Sequence, residues 1–191
     1  ILTDVTGVQT CALPIYSLTL LKKKRSFSTK AQTKITAIMR LRSIDNPSET
    51  EEIIKKCQWC HLAMSGPDGE PYILPMNFGY RDGVIYLHGA RQGKKIELLK
   101  QNPRVCINFA TDQQLRYQSE HVACSWNMSY RSVLCYGRVE FLDDPEQKIA
   151  ALDVIMAQYS ERQFQYNPPS IREVCVFIVK VEKLEGRAFG R

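Results

Sequence analysis

A histidine and two lysines flank a short glycine-bearing turn in "VIYLHGARQGKKIELL", Val84 to Leu99. His88 closes a run of β-branched and aromatic residues, and Lys94 and Lys95 open a helix-like run that begins near Gly93. The first N–H groups of a helix have no internal partner, and the helix dipole puts partial positive charge there. Two ammonium groups in that turn, with Gly89 and Gly93 letting the backbone approach a ligand, suit a phosphate. The plainer reading is a pair of solvated lysines. Cations at a helix start run against the dipole yet are common, and the segment alone favours that reading. Its spacing matches neither the P-loop nor the Rossmann glycine fingerprint. His88 could hydrogen-bond a substrate or supply a proton, or it could be a structural histidine that only packs; the residues leave both open.

The other chemistry-bearing residues say less. "CQWCH", Cys57 to His61, has the spacing of c-type haem attachment. That chemistry needs export and an open haem crevice, whereas this motif spans a helix end and the start of a core strand, so covalent haem is not expected. No second Cys/His pair has zinc-site spacing, and no metal is expected. His121 with Cys124 could pair a base with a nucleophile but lacks a third, orienting group. Free, mostly buried thiols are expected for Cys57, Cys60, Cys106, Cys124, Cys135 and Cys175. Without a recognisable signal peptide, a reducing cytoplasm is the expected location.

Punctuated runs must position these side chains. "NPSETEEIIKKC" reads as a helix with Ser48 as N-cap and Glu51 completing a capping box. "HLAMS", "PYILPMNFGY", "VIYLHG", "RVCINFA", "SVLCYGRVEFL" and "EVCVFIVKVEKLEG" read as strands, with Asp68-Gly69 and Asp82-Gly83 as hairpin turns. "GKKIELLKQNP" is a short helix stopped by Asn102-Pro103. "DDPEQKIAALDVIMAQYS" is the clearest helix, capped by Asp144, with Pro145 in its first position and a stripe of Ile149, Leu152, Ile155, Met156 and Tyr159. Some six antiparallel strands with helices between them predict a mainly β (α+β) fold. A small barrel carrying packed helices is expected, and a sandwich is the alternative. The edges of so small a sheet need covering, by barrel closure or by a dimer seam.

A chain of 191 residues with 44% hydrophobic content supports one domain and one core. No apolar run reaches membrane-span length. The net charge of +6 could suggest nucleic acid, but residues 1–38 hold six bases against one acid, a net of +5, leaving +1 for the rest. No nucleic-acid or membrane partner is therefore expected. "VTGVQTCALPI", Val5 to Ile15, resembles the in-frame translation of a sequencing-library adapter. Residues 16–38 are basic and aperiodic; they could mimic a transit peptide, and read more plainly as upstream untranslated sequence. The expectation is a disordered, non-native stretch over 1–38 (adapter-like over 1–15), a natural start at Met39 and one domain over 39–191.

"PYILPMNFGYRDGVIYLHGARQGKKIELLKQNPRVCINF" and "MSYRSVLCYGRVEFL", with the acid-capped helix that follows, resemble the pyridoxamine 5'-phosphate oxidase-like flavoproteins, in particular their nitroimidazole-resistance (Nim) branch. The resemblance covers about residues 42–187. It implies a six-stranded antiparallel split β-barrel with flanking helices, and a homodimer with FMN at the subunit seam. It implies that Lys94 and Lys95 hold the FMN phosphate. Met76, Asn77 and Phe78, with Tyr86, Leu87 and His88, would run beside the flavin. Ser125, Trp126, Arg131 and Ser132 would lie near the seam, where the partner chain completes the site. His88, alternating with Leu87, would face the flavin cavity as a tentative catalytic residue. The implied activity is flavin-dependent reduction of a small electrophile such as a nitro-heterocycle, with an unknown electron donor. A different class stays open: a flavin- or haem-binding carrier or sensor without turnover, with His61, His88 and His121 as candidate axial ligands. FAD and haem are less expected than FMN, and the fold alone does not choose.

Overall fold

The computed structural model describes residues 41–190; the expectations for residues 1–38 and for a start at Met39 lie outside them. Eight strands form one antiparallel sheet: β1 (Arg42–Ile44), β2 (Cys60–Ser65), β3 (Pro71–Met76), β4 (Phe78–Arg81), β5 (Val84–Ala90), β6 (Arg104–Arg116), β7 (Asn127–Leu142) and β8 (Val174–Phe189). The α-helices are α1 (Pro47–Lys56), α2 (Lys94–Gln101), α3 (Pro145–Ala157) and α4 (Pro168–Glu173). All six runs read as strands are strands. The count rises because β1 pairs with the far end of β8 and because "PYILPMNFGY" divides at Asn77.

That division closes the sheet. The strand order is β3-β2-β6-β7-β8-β5-β4, so its two edge strands are consecutive in sequence and joined by Asn77 alone. A sheet whose opposite edges share a one-residue link has to roll up. The rings of Phe78 on β4 and Phe109 on β6, strands far apart in that order, meet edge-to-face at 4.8 Å. The interior holds Leu62, Ile85, Leu87, Ile107, Val133 and Phe177, all fully buried. Burying each such side chain contributes about 1.5–3 kcal/mol. The strands alternate as a half-buried sheet must: on β5, Ile85 and Leu87 point inward, Tyr86 and His88 outward.

A second apolar layer lies outside the barrel, where Ala151, Leu152 and Ile155 of α3 and Ile171 of α4 pack on Val176 and Tyr86. Gly79 lets α3 approach β4, since a Cβ there would stand 2.6 Å from the Val154 carbonyl oxygen. Asp144 caps α3 as expected, accepting from the Gln147 N–H at 2.9 Å. α1 corrects the reading of its start. Its N-cap is Asn46, whose Oδ1 accepts from the Ser48 N–H at 2.9 Å. Pro47 has no N–H to offer and a φ suited to the first helical position, so the cap falls one residue before it. Glu51 pairs instead with Lys55.

Candidate functional site

The β5–α2 turn builds the site. β5 pairs with β8 in the register Leu87↔Phe177, His88↔Val176 and Gly89↔Cys175, and with β4 in the register Phe78↔Leu87. Gly93 has φ 109 and, as N-cap, no side chain to offer the helix start. The backbone N–H groups of Lys94 and Lys95 therefore open α2 without a side-chain cap.

The two lysines differ. Lys94 is exposed; its Nζ lies 3.5 Å from Glu70 Oε1 and 5.1 Å from the Tyr72 ring centroid. An exposed ion pair of that length is worth little. Lys95 turns inward over Gly89. Its Nζ has Met76 Sδ at 4.0 Å and the Phe177 ring centroid at 5.9 Å, and no carboxylate in ion-pair range among the described residues. Burial lowers its pKa from the usual 10.5, with Cys175 opposing. A half-buried ammonium held only by a thioether and a ring face is electrostatically incomplete.

His88 lies across β5 from that ammonium, because Gly89, one residue on, faces Lys95. Its Nδ1 is buried without a hydrogen-bond partner. Burial, then the Lys95 charge, lowers the pKa of the ring below 6.5, which leaves a neutral imidazole at pH 7. Met76 is buried at the Lys95 end of the barrel, and Asn77 is exposed at the joined edges. Phe78 and Leu87 point their side chains into the core and can meet a ligand only through backbone. The Phe78 N–H already donates to the Tyr159 hydroxyl at 3.0 Å. Tyr86 packs against the outer helical layer.

The remaining expected site residues form a distant group. Arg131 pairs with Ala188 of β8, whereas Phe141, near Lys95, pairs with Phe177. Ten residues of extended strand separate Arg131 from Phe141, about 33 Å along β7. Arg131 is 6% exposed, and its Nε and Nη2 both reach Asp112 Oδ2 at 2.6 Å, with Glu52 3.5 Å away. Its guanidinium is committed within its own chain. Asp112 sits at φ 58, at the break in β6–β7 register. Ser125 Oγ donates to the Ser119 carbonyl at 2.7 Å, and Trp126 donates to the Glu120 carbonyl and stacks on Tyr117 at 4.2 Å. Ser132 shares the strand on the face opposite Arg131. A single chain does not bring these four residues to Lys95.

Three contributors carried no sequence signal: Phe177 and Cys175, which form the floor under Lys95, and Asp112, which holds Arg131. Only the β5–β8 and β6–β7 registers reveal them. Cys57 and Cys60 are buried thiols, with burial raising the Cys57 pKa to about 11. Cys124 is exposed. No cluster of metal-binding side chains occurs among the described residues. No helix there is long and apolar enough to cross a membrane.

A barrel whose edges meet at one residue, carrying an uncapped, lysine-bearing helix at its mouth, defines a split-barrel protein. The chain belongs to the pyridoxamine 5'-phosphate oxidase family, whose pattern matches residues 46–188. Within it, the chain is 40% identical to a candidate 5-nitroimidazole antibiotic resistance protein of Bacteroides thetaiotaomicron, over 80% of this chain and 89% of that one, with a TM-score of 0.72. A flavocytochrome of Azotobacter vinelandii shares 19% identity over 76% of this chain and 68% of its own, at a TM-score of 0.66. An FAD- and haem-binding protein of Mycobacterium smegmatis shares 13% over 78% and 74%, at 0.68. At these last two identities the likeness is one of fold. No curated protein matches the chain.

Proposed function

We propose that the chain is an FMN-dependent oxidoreductase that reduces a small electrophile, with nitro-heterocycles of the nitroimidazole kind as the substrate class. The observation that carries this reading is the Lys95 ammonium, half-buried over Gly89 with no anionic partner among the described residues, beside an uncapped helix start. These features fit a phosphate-bearing cofactor, since a dianion there completes the ammonium and the open N–H groups together. Bound FMN supplies electron and hydride transfer. Lys95 binds the phosphate, and Lys94 adds its charge once its weak contact with Glu70 yields. Asn77, exposed at the split, and the backbone of Phe78 and Leu87 line the ring's path. His88 keeps a neutral imidazole with an unpaired Nδ1, suited to hydrogen-bonding a substrate.

The reading includes a homodimer. The seam group, Ser125, Trp126, Arg131 and Ser132, lies at the other end of β7 from Lys95, and a two-fold partner can set that end against the first chain's turn. Leu115, Tyr117, Val122 and Met128 leave apolar surface exposed beside Trp126, suited to such a contact. Cytoplasmic location and the absence of nucleic-acid partners complete the proposal.

The test is reconstitution with FMN, anaerobic reduction with dithionite, removal of excess reductant and addition of a 5-nitroimidazole. Return of the oxidised flavin spectrum with loss of the nitro absorbance supports the reading. Stable reduced flavin in the presence of the nitroimidazole points instead to a carrier or sensor. Sedimentation of the loaded protein should give a dimer, and a loaded monomer would contradict the seam.

A further inference from the structure

A second cavity, of about 270 Å³, opens where α2, α3, the end of β7 and the start of β8 meet. Its walls carry Arg91, Lys100 and Lys148, against one carboxylate, Asp143, with Cys175 also in the lining. Several cations of the domain pair with carboxylates: Lys180 with Glu140, Lys183 with Glu185, Arg138 with Glu182. None of the three cavity cations has a carboxylate in ion-pair range among the described residues. Lys148 is 6% exposed, and its ammonium donates to the Ile171 carbonyl at 3.3 Å and the Val174 carbonyl at 3.0 Å. Two acceptors leave one of its three donors unmet by protein. Arg91 Nη1 donates to the Arg172 carbonyl at 2.8 Å, which fixes the guanidinium at the rim while sparing its other nitrogens. Among the described residues the acceptors of Lys148 are its two neutral carbonyls, so the ammonium has a donor to offer a further acceptor in the cavity.

We propose that this cavity binds the phosphate or diphosphate group of a small soluble ligand, at a site separate from the Lys94–Lys95 turn, with Arg91, Lys100 and Lys148 as its contacts. Three cations against one acid favour a multiply charged anion over a simple carboxylate. The volume is below the usual range for whole drug-sized ligands, so the cavity takes the charged head while the remainder of the ligand lies outside. The site stands on its own residues and does not depend on the flavin reading. Burial raises the Cys175 thiol pKa, and among the cations that oppose the rise are Lys148, Lys100 and Arg91, the three that line the cavity with it.

Inorganic pyrophosphate is the probe, titrated calorimetrically into the full chain with and without saturating FMN. Saturable one-to-one binding with the same Kd in both arms is expected. Lys100→Gln and Arg91→Gln, both at exposed positions, should each weaken it by about ten- to a hundredfold, the range for one hydrogen bond to a charged group. Lys183→Gln, on the remote surface, should leave it unchanged. Site-resolved alkylation should show pyrophosphate protecting Cys175. No saturable binding, displacement of pyrophosphate by FMN, binding indifferent to both cavity substitutions, or binding without protection of Cys175 would each overturn the proposal.

Discussion

The Lys95 ammonium occupies the space that a side chain at residue 89 would need: a Cβ built on Gly89 collides with Lys95 Nζ. Nothing in the φ of Gly89 requires glycine, so the residue is explained by the lysine above it. Gly89→Ala should therefore fold, because the atom it displaces is the far end of a flexible side chain. It should nevertheless weaken FMN about tenfold or more, the loss of one well-placed hydrogen bond to a charged group. A melting temperature within a few degrees of wild type, measured alongside a fluorescence-quenching Kd, checks both halves. Unchanged affinity would mean that Lys95 does not need its seat.

His88 gives a prediction in pH. Its pKa is held below 6.5 by burial and by the Lys95 charge, so the unfolded chain takes up the proton more readily than the native one. Stability from this group is complete above 6.5 and is lost as pH falls from there through the native value. The ring resonances of His88 should titrate with a midpoint below 6.5 in the unliganded protein. His88→Gln should flatten the acid side of the melting-temperature profile below pH 6.5. A midpoint above 6.5 would contradict the assigned burial.

Arg131 should behave as a clamp. Arg131→Gln removes the two 2.6 Å contacts that Asp112, held in a left-handed conformation, makes with the guanidinium. Breaking a fully buried pair costs about 3–5 kcal/mol, and the partial exposure of Asp112 reduces this to roughly 2 kcal/mol. That corresponds to a melting temperature lower by about 4–8 °C in a domain of this size. Thermal unfolding by circular dichroism measures it. An unaltered melting temperature would show that the ion pairs contribute nothing.

The fold was legible in the sequence because its strands alternate cleanly and its turns carry Asp-Gly pairs: Asp82 and Gly83 both take positive φ, as a tight hairpin requires. The lysine-bearing turn was legible because Gly93, Lys94 and Lys95 are contiguous. What escaped depends on register. The break at Asn77 is invisible inside an unbroken apolar run, yet it brings the two sheet edges together. Phe177 and Cys175 lie some eighty residues from Lys95 in sequence and reach it only through β5–β8 pairing. Asp112 became a partner of Arg131 only through an irregularity in β6–β7 that no local pattern announces. The α1 cap was misplaced because Pro47 outweighs the Ser48–Glu51 pattern. The pairing of Leu87 and Phe78 likewise shows that neighbours of a site residue in sequence can belong wholly to the core.

The central claim, that Lys94 and Lys95 receive a phosphate, is tested most directly by comparing FMN with riboflavin on wild type and on the Lys94→Gln, Lys95→Gln double substitution. Glutamine is one atom shorter than lysine, polar and of similar helix propensity, so packing survives. Removing each charge should weaken FMN by roughly 1.5–3 kcal/mol, so the double variant should purify nearly colourless. Riboflavin, which lacks the phosphate, should bind both proteins about equally. If the double variant holds FMN as tightly as wild type, or loses riboflavin to the same extent, the pair is not a phosphate cradle and the site assignment fails.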